Sequence, residues 1–124
     1  AALAGMKLPD EDAVLVAMTK LRARGIKNVF VSDGANRAWL QTVDGRTWSG
    51  VPPRLPAGSA VGCGDAFLAG GFAALLHRRA GDEALATALA SGSAAFDAVR
   101  RGTIDKKRYR DFLRAARHSV RRIG

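Results

Sequence analysis

Hydrophobic positions in this chain switch between two periods, and the switches outline its elements. Behind Pro9-Asp10-Glu11-Asp12, apolar Val14, Met18 and Leu21 recur at helical spacing with Ala13 and Ala17 beside them. Proline and acidic groups suit the first turn of a helix, and Gly25 is a stop signal, so a structural helix is expected between them. Residues 28–32 form a short run rich in β-branched and aromatic side chains, which reads as a buried strand. Alternation over 37–43 and 46–51 around Asp44-Gly45 predicts a β-hairpin. Pro52, Pro53 and Pro56 then hold the chain extended and outside regular pairing. A helix is expected from about Asp65 to Arg79, a second over 83–100 after the Gly81-Asp82 break, and a third capped by Asp105 with Tyr109, Phe112, Leu113, Ala116 and Val120 on its apolar stripe. Helix, glycine, strand is half of an α/β unit.

Composition narrows the class without changing this outline. The 124 residues are 48% hydrophobic and 25% charged, enough for one domain with a modest core. No apolar run approaches the roughly 18 residues of a membrane span, and the opening residues do not read as a signal peptide. One cysteine, Cys63, excludes an internal disulfide and fits a reducing cytoplasm. The net charge is +9, and ten of the 20 Lys and Arg residues fall within 100–122. Such a concentration suits a polyanion, and a non-catalytic module that binds nucleic acid through this basic helix is the alternative function. Aromatic interleaving is thin there, however, and no nucleic-acid motif accompanies it. The sequence therefore favours a solvated face and points away from nucleic acid as a partner. No His, Cys or carboxylate cluster has metal-ligand spacing, so no metal-binding residue is assigned.

Candidate chemistry concentrates in Val61-Gly62-Cys63-Gly64-Asp65 and the small and apolar residues after it. Glycines let a ligand approach the backbone, and a helix starting near Asp65 leaves amide groups aimed at the same place, which makes an anion site. A carboxylate at its edge suits phosphoryl transfer, which needs positioning, charge stabilisation and a base for the attacking hydroxyl. The same pattern also describes a plain helix entrance, with Asp65 complementing the dipole. Gly70 and Gly71 inside the helix predict that another element approaches closely there. Trp39 and Trp48 are packing residues at strand spacing, or stack on a base. His77 and His118 read as boundary residues.

The segment 61–70 resembles the C-terminal signature of the ribokinase-like (PfkB) carbohydrate kinases, Thr-x-Gly-Ala-Gly-Asp. The resemblance implies that Asp65 is the catalytic base and that Gly62, Cys63 and Gly64 form the anion hole. Ser32-Asp33-Gly34-Ala35-Asn36-Arg37 is similar to the family's Thr-x-Gly-x-x-Gly nucleotide loop, with Arg37 where glycine is usual. It implies nucleotide contacts at Ser32, Gly34, Ala35 and Asn36. Ser91, in the small-residue run 90–95, falls at a position that faces the nucleotide, or simply lets two helices pack. Ser59 stands where the family carries Asp or Asn at a monovalent-cation site, and serine brings no charge.

Leu3-Ala4-Gly5 and Leu8 are similar to the family's Leu-x-Gly-x-x-Leu, which follows an Asn-x-x-Glu motif that helps organise magnesium and phosphate. In that alignment the motif falls just before Ala1. The expected fold is therefore α/β, a Rossmann-like ribokinase fold of which residues 1–124 are the C-terminal nucleotide-binding and catalytic portion. The N-terminal sugar-binding portion is absent, and the sheet is incomplete and flanked by helices. Implied ligands are ATP with Mg2+ and a sugar or sugar phosphate. The wording at 61–65 looks most like the phosphofructokinase and tagatose-6-phosphate kinase branch. Alone, the chain is expected to be inactive and to expose a sheet edge, which a homodimer would cover.

Overall fold

The computed structural model describes residues 10–34, 36–53, 63–103 and 105–124. The first helix, α1 (Glu11–Ala23), begins where Asp10 caps it: the Ala13 amide donates to the Asp10 carboxylate at 2.8 Å. Strands β1 (Val29–Asp33), β2 (Arg37–Gln41) and β3 (Thr47–Gly50) follow in a meander. Next come α2 (Cys63–Leu76), α3 (Gly81–Arg101) and α4 (Lys106–Ser119), then a two-residue strand, β4 (Arg121–Arg122). The sheet order is β1-β2-β3-β4, and every pairing is antiparallel. Links as short as 33–37 and 41–47 allow nothing else, because parallel neighbours need a crossover of about a dozen residues.

Alternation along the strands divides the core into two layers. Val29, Val31 and Trp39 face one side and meet Val14 and Met18 of α1. Phe30, Ala38 and Leu40 face the other side and meet the helices that follow β3. The sheet is thus flanked by helices on both faces, as expected for the incomplete ribokinase-type layer. Both tryptophans pack within it. The Trp39 indole N–H donates to Glu11 at 3.0 Å, and Trp48 lies against Gly81.

The two glycines in α2 mark the predicted close approach. A Cβ at Gly71 would stand 2.5 Å from the Phe30 ring and 3.2 Å from the Ala88 Cβ. One at Gly70 would collide with Ser91, whose own Cβ is 2.7 Å from that point. Small residues let α2 lie directly on α3 and on the sheet.

Ion pairs hold α4 to α3. Asp97, 3% exposed, accepts from Arg108 through Nε at 2.6 Å and Nη2 at 2.9 Å, and from Arg101 Nε at 3.2 Å. Arg108 also lies 5.6 Å from the centre of the Phe112 ring. Hydrogen bonding from Arg108 outweighs burial and holds the Asp97 carboxyl below its ordinary range. Glu83 is shifted the same way, mainly by its hydrogen bond with Arg117. A carboxylate with a depressed folded pKa contributes stability that is fully present above its unfolded value, about 4. That stability is lost as pH falls through the folded value. Thermal unfolding followed by circular dichroism should therefore show a midpoint that drops on acidification below about pH 4. Asp97→Asn should melt lower at neutral pH and show a shallower acid limb. An unchanged acid limb would remove Asp97 from this role.

Candidate active site

Helix packing decides which loops share an end of the molecule. Gly70 faces Ser91 and Gly71 faces Ala88, so α2 and α3 run antiparallel and the first turn of α2 lies toward the C-terminal end of α3. Trp48 meets Gly81, while Gly50 lies under Leu85 and Leu89, so β3 runs in the same direction as α3. Cross-strand pairing places Ala38 opposite Gly50 and Asp33 opposite Arg37. The β1–β2 turn, the exit of β3 and the start of α2 therefore converge at one end. The hairpin at 42–46 and the α2–α3 turn occupy the other.

Asp65 lies in the first turn of α2 and is exposed, as is Gly64 before it. Among the described residues nothing comes within 4 Å of the point where a Gly64 Cβ would sit. The α2 backbone begins at Cys63; the Cys63 side chain and Gly62 lie outside the described residues, as do Ser59 and Val61. At this end the helix leaves its first amides unpaired and carries partial positive charge.

The second loop is built around Asp33. The Asn36 amide N–H donates to the Asp33 carbonyl at 2.9 Å and closes a tight turn in which Gly34 takes a φ of 51°. The Asn36 side-chain amide also reaches the Asp33 carboxylate at 3.5 Å. Ser32 is half-buried at the end of β1, and Ala35 lies outside the described residues. Arg37, the departure from the family pattern, donates from Nη1 to Ser49 Oγ at 2.7 Å. It ties the turn to β3, a role that needed the strand pairing to become visible. Ser91 is half-buried with its hydroxyl against Gly70.

Trp48 belongs to the opposite end through its contact with Gly81, so packing accounts for it and base stacking does not. His77 and His118 are exposed near helix C-termini. Among the described residues no three His, Cys, Asp or Glu side chains cluster to hold a metal ion. No helix among them is long and apolar enough to cross a membrane.

A helix entrance beside a strand–turn loop in an α/β layer is a geometry that can receive a phosphate group. Residues 1–107 match the model of the pfkB family carbohydrate kinases, and the chain belongs to that family. A 1-phosphofructokinase of Escherichia coli K12 is 34% identical over 103 residues, covering 83% of this chain and 33% of the relative. Another from Xanthomonas campestris is 44% identical over 72 residues, covering 58% and 22%. Among solved structures, phosphofructokinase-2 from Escherichia coli, in complex with substrates and products, superposes with a TM-score of 0.74 at 24% identity. That match covers 92% of this chain and 37% of the other. A carbohydrate kinase from Agrobacterium tumefaciens gives 0.63 at 20% identity, covering 90% and 39%. The chain spans about a third of the length of the first of these curated relatives.

Proposed function

We propose that this chain is the C-terminal nucleotide-binding and catalytic portion of an ATP-dependent kinase that phosphorylates a hydroxyl of a phosphorylated hexose. The observation that carries the reading is the exposed carboxylate of Asp65 in the first turn of α2, at the end shared with the β1–β2 turn. Asp65 takes the proton from the sugar hydroxyl as its oxygen attacks the γ-phosphorus of ATP. The bond to the β–γ bridging oxygen breaks, and ADP leaves with that electron pair. Backbone amides at Gly62, Cys63 and Gly64 stabilise charge on the transferring group, which is where catalysis of phosphoryl transfer resides.

Ser32, Gly34, Ala35 and Asn36 contact the nucleotide from the β1–β2 turn. Ser91, wedged against Gly70, borders it from α3. Mg2+ binds through substrate phosphates and one or two carboxylates rather than a protein cage. Asp65 is kept for the proton, so the substrate phosphates would be the ligands that hold the ion here, and no side chain of this chain is assigned to it. The ion supplies neutralisation of phosphate charge.

The sugar contacts come from an N-terminal portion outside this chain. The name 1-phosphofructokinase borne by the curated relatives favours a fructose phosphate as acceptor. The test is ADP release by the full-length protein with ATP and fructose 1-phosphate, fructose 6-phosphate or unphosphorylated fructose. A phosphorylated hexose should be preferred, and residues 1–124 alone should give no turnover. The substrate reading fails if free fructose is preferred. Turnover by the isolated chain would overturn the division into two portions.

A further inference from the structure

The structure sorts seven of the ten basic residues within 100–122 into two sets. Arg101, Arg108 and Arg117 are committed to Asp97 and Glu83. Lys106, Lys107, Arg110 and Arg114 are exposed, and their side chains have no ion-pair or hydrogen-bond partner among the described residues. They share one side of α4, because Lys106, Arg110 and Arg114 are four apart and Lys107 is three from Arg110. The only carboxylate within α4 is Asp111.

Local electrostatics opposes this arrangement. Like charges at such spacing repel, and two lysines occupy the first turn, where the helix dipole disfavours cations. Asp111, four residues from Lys107 and three from Arg114, offsets part of this charge, and the rest of the stripe faces outward.

We propose that the outer face of α4 docks on the phosphate backbone of duplex nucleic acid, independently of sequence and of the kinase reaction. Charge complementarity identifies the partner. The stripe advances about 12 Å from Lys106 to Arg114, a distance over which a duplex presents about seven phosphates. No exposed large hydrophobic side chain lies on α4 among the described residues, so neither a bilayer nor a protein interface finds an apolar anchor. Phe112 is buried and Tyr109 half-buried, so the face offers little aromatic surface for stacking single-stranded bases.

Fluorescence anisotropy of a labelled 20-base-pair duplex, titrated with the full-length protein, tests this. Four phosphate contacts give a slope of log affinity against log salt of about −4, and a loss of about a hundredfold between roughly 50 and 200 mM salt. Reversing all four charges (K106E, K107E, R110E and R114E) should abolish binding while kinase turnover and the circular dichroism spectrum persist. If that variant fails to fold, R110Q with R114Q should reduce the slope by about two. Absent binding at about 50 mM salt, an unchanged slope in the double variant, or equal affinity for phosphatidylglycerol vesicles or polyglutamate would overturn the proposal. Loss of kinase activity is not among these outcomes, so the two readings fail separately.

Discussion

Asp65→Asn should lower turnover of the full-length kinase by about 10²–10⁴, the usual contribution of a positioned general base. Asparagine keeps the shape and hydrogen-bonding reach of the side chain but cannot accept the sugar proton. The residue is exposed in the first turn of α2, so the fold should tolerate the change. Its only structural cost is a weaker complement to the helix dipole, about 0.3–1 kcal/mol. Nucleotide affinity should not fall, because removing a negative charge beside phosphates does not weaken their binding. The loss therefore belongs in kcat, with the KM for ATP little changed, and steady-state kinetics with the phosphorylated hexose separates the two. Near-normal kcat would exclude Asp65 as the base. A collapse of ATP affinity would show that it holds the nucleotide instead.

The largest effect on stability is expected from Phe30→Ala. Phe30 is fully buried and meets Phe67 and Phe72 edge-on, with ring centres 5.6 and 5.1 Å apart. Its ring also fills the space that Gly71 leaves open. Neighbours on a strand and a helix cannot all collapse into the void, so the cost should be about 3–5 kcal/mol. Set against the 5–15 kcal/mol that is typical of folded proteins, this is a large fraction, equivalent to a fall in melting temperature of roughly 10–20 °C. Phe30→Leu, which keeps most of the volume, should lose much less. Phe30 precedes Ser32 by two residues and touches Phe67, two residues beyond Asp65. The alanine variant should thus also weaken ATP binding by loosening both loops. A melt within about 2 °C of the parent, well under the shift of even 1 kcal/mol, would show that the site halves are not joined through this ring.

Elements with a local chemical cause were legible in the sequence. Asp105 caps the helix it is expected to cap, accepting from a backbone amide at 2.9 Å, while Asp10, read only as an acidic group at a helix start, is itself the cap of α1 at 2.8 Å. The Asp44-Gly45 hairpin forms, although β2 stops at Gln41 because the Thr42 hydroxyl bonds into the turn through Asp44. Helix α2 ends at Leu76, short of the expected Arg79. Arg78 takes a φ of 59° there, a conformation usually signalled by glycine or asparagine, so the stop carried no recognisable mark. Strand β4 consists of two exposed arginines and has no β signature; it exists because β3 has an edge to offer.

For the site, Gly64-Asp65 stood out as candidate chemistry from residue types, whereas the turn after β1 entered only through the family resemblance. Their convergence on one end was not legible. It depends on the relative directions of α2, α3 and β3, which are settled by contacts such as Gly70 with Ser91 and Gly50 with Leu89. The tether from Arg37 to Ser49 was hidden for the same reason, since the two residues are twelve apart and meet only across a strand pair.

Strand β1 has a neighbour on one side only among the described residues, yet Val29, Phe30 and Val31 are buried as deeply as those of an interior strand. Helices shield its two faces, while its outer row of amides and carbonyls has no strand against it. Such a margin behaves like half of a zipper, ready to receive any extended segment that supplies the opposite row. Expression trials should accordingly treat solubility as a property of whichever polypeptide closes that seam.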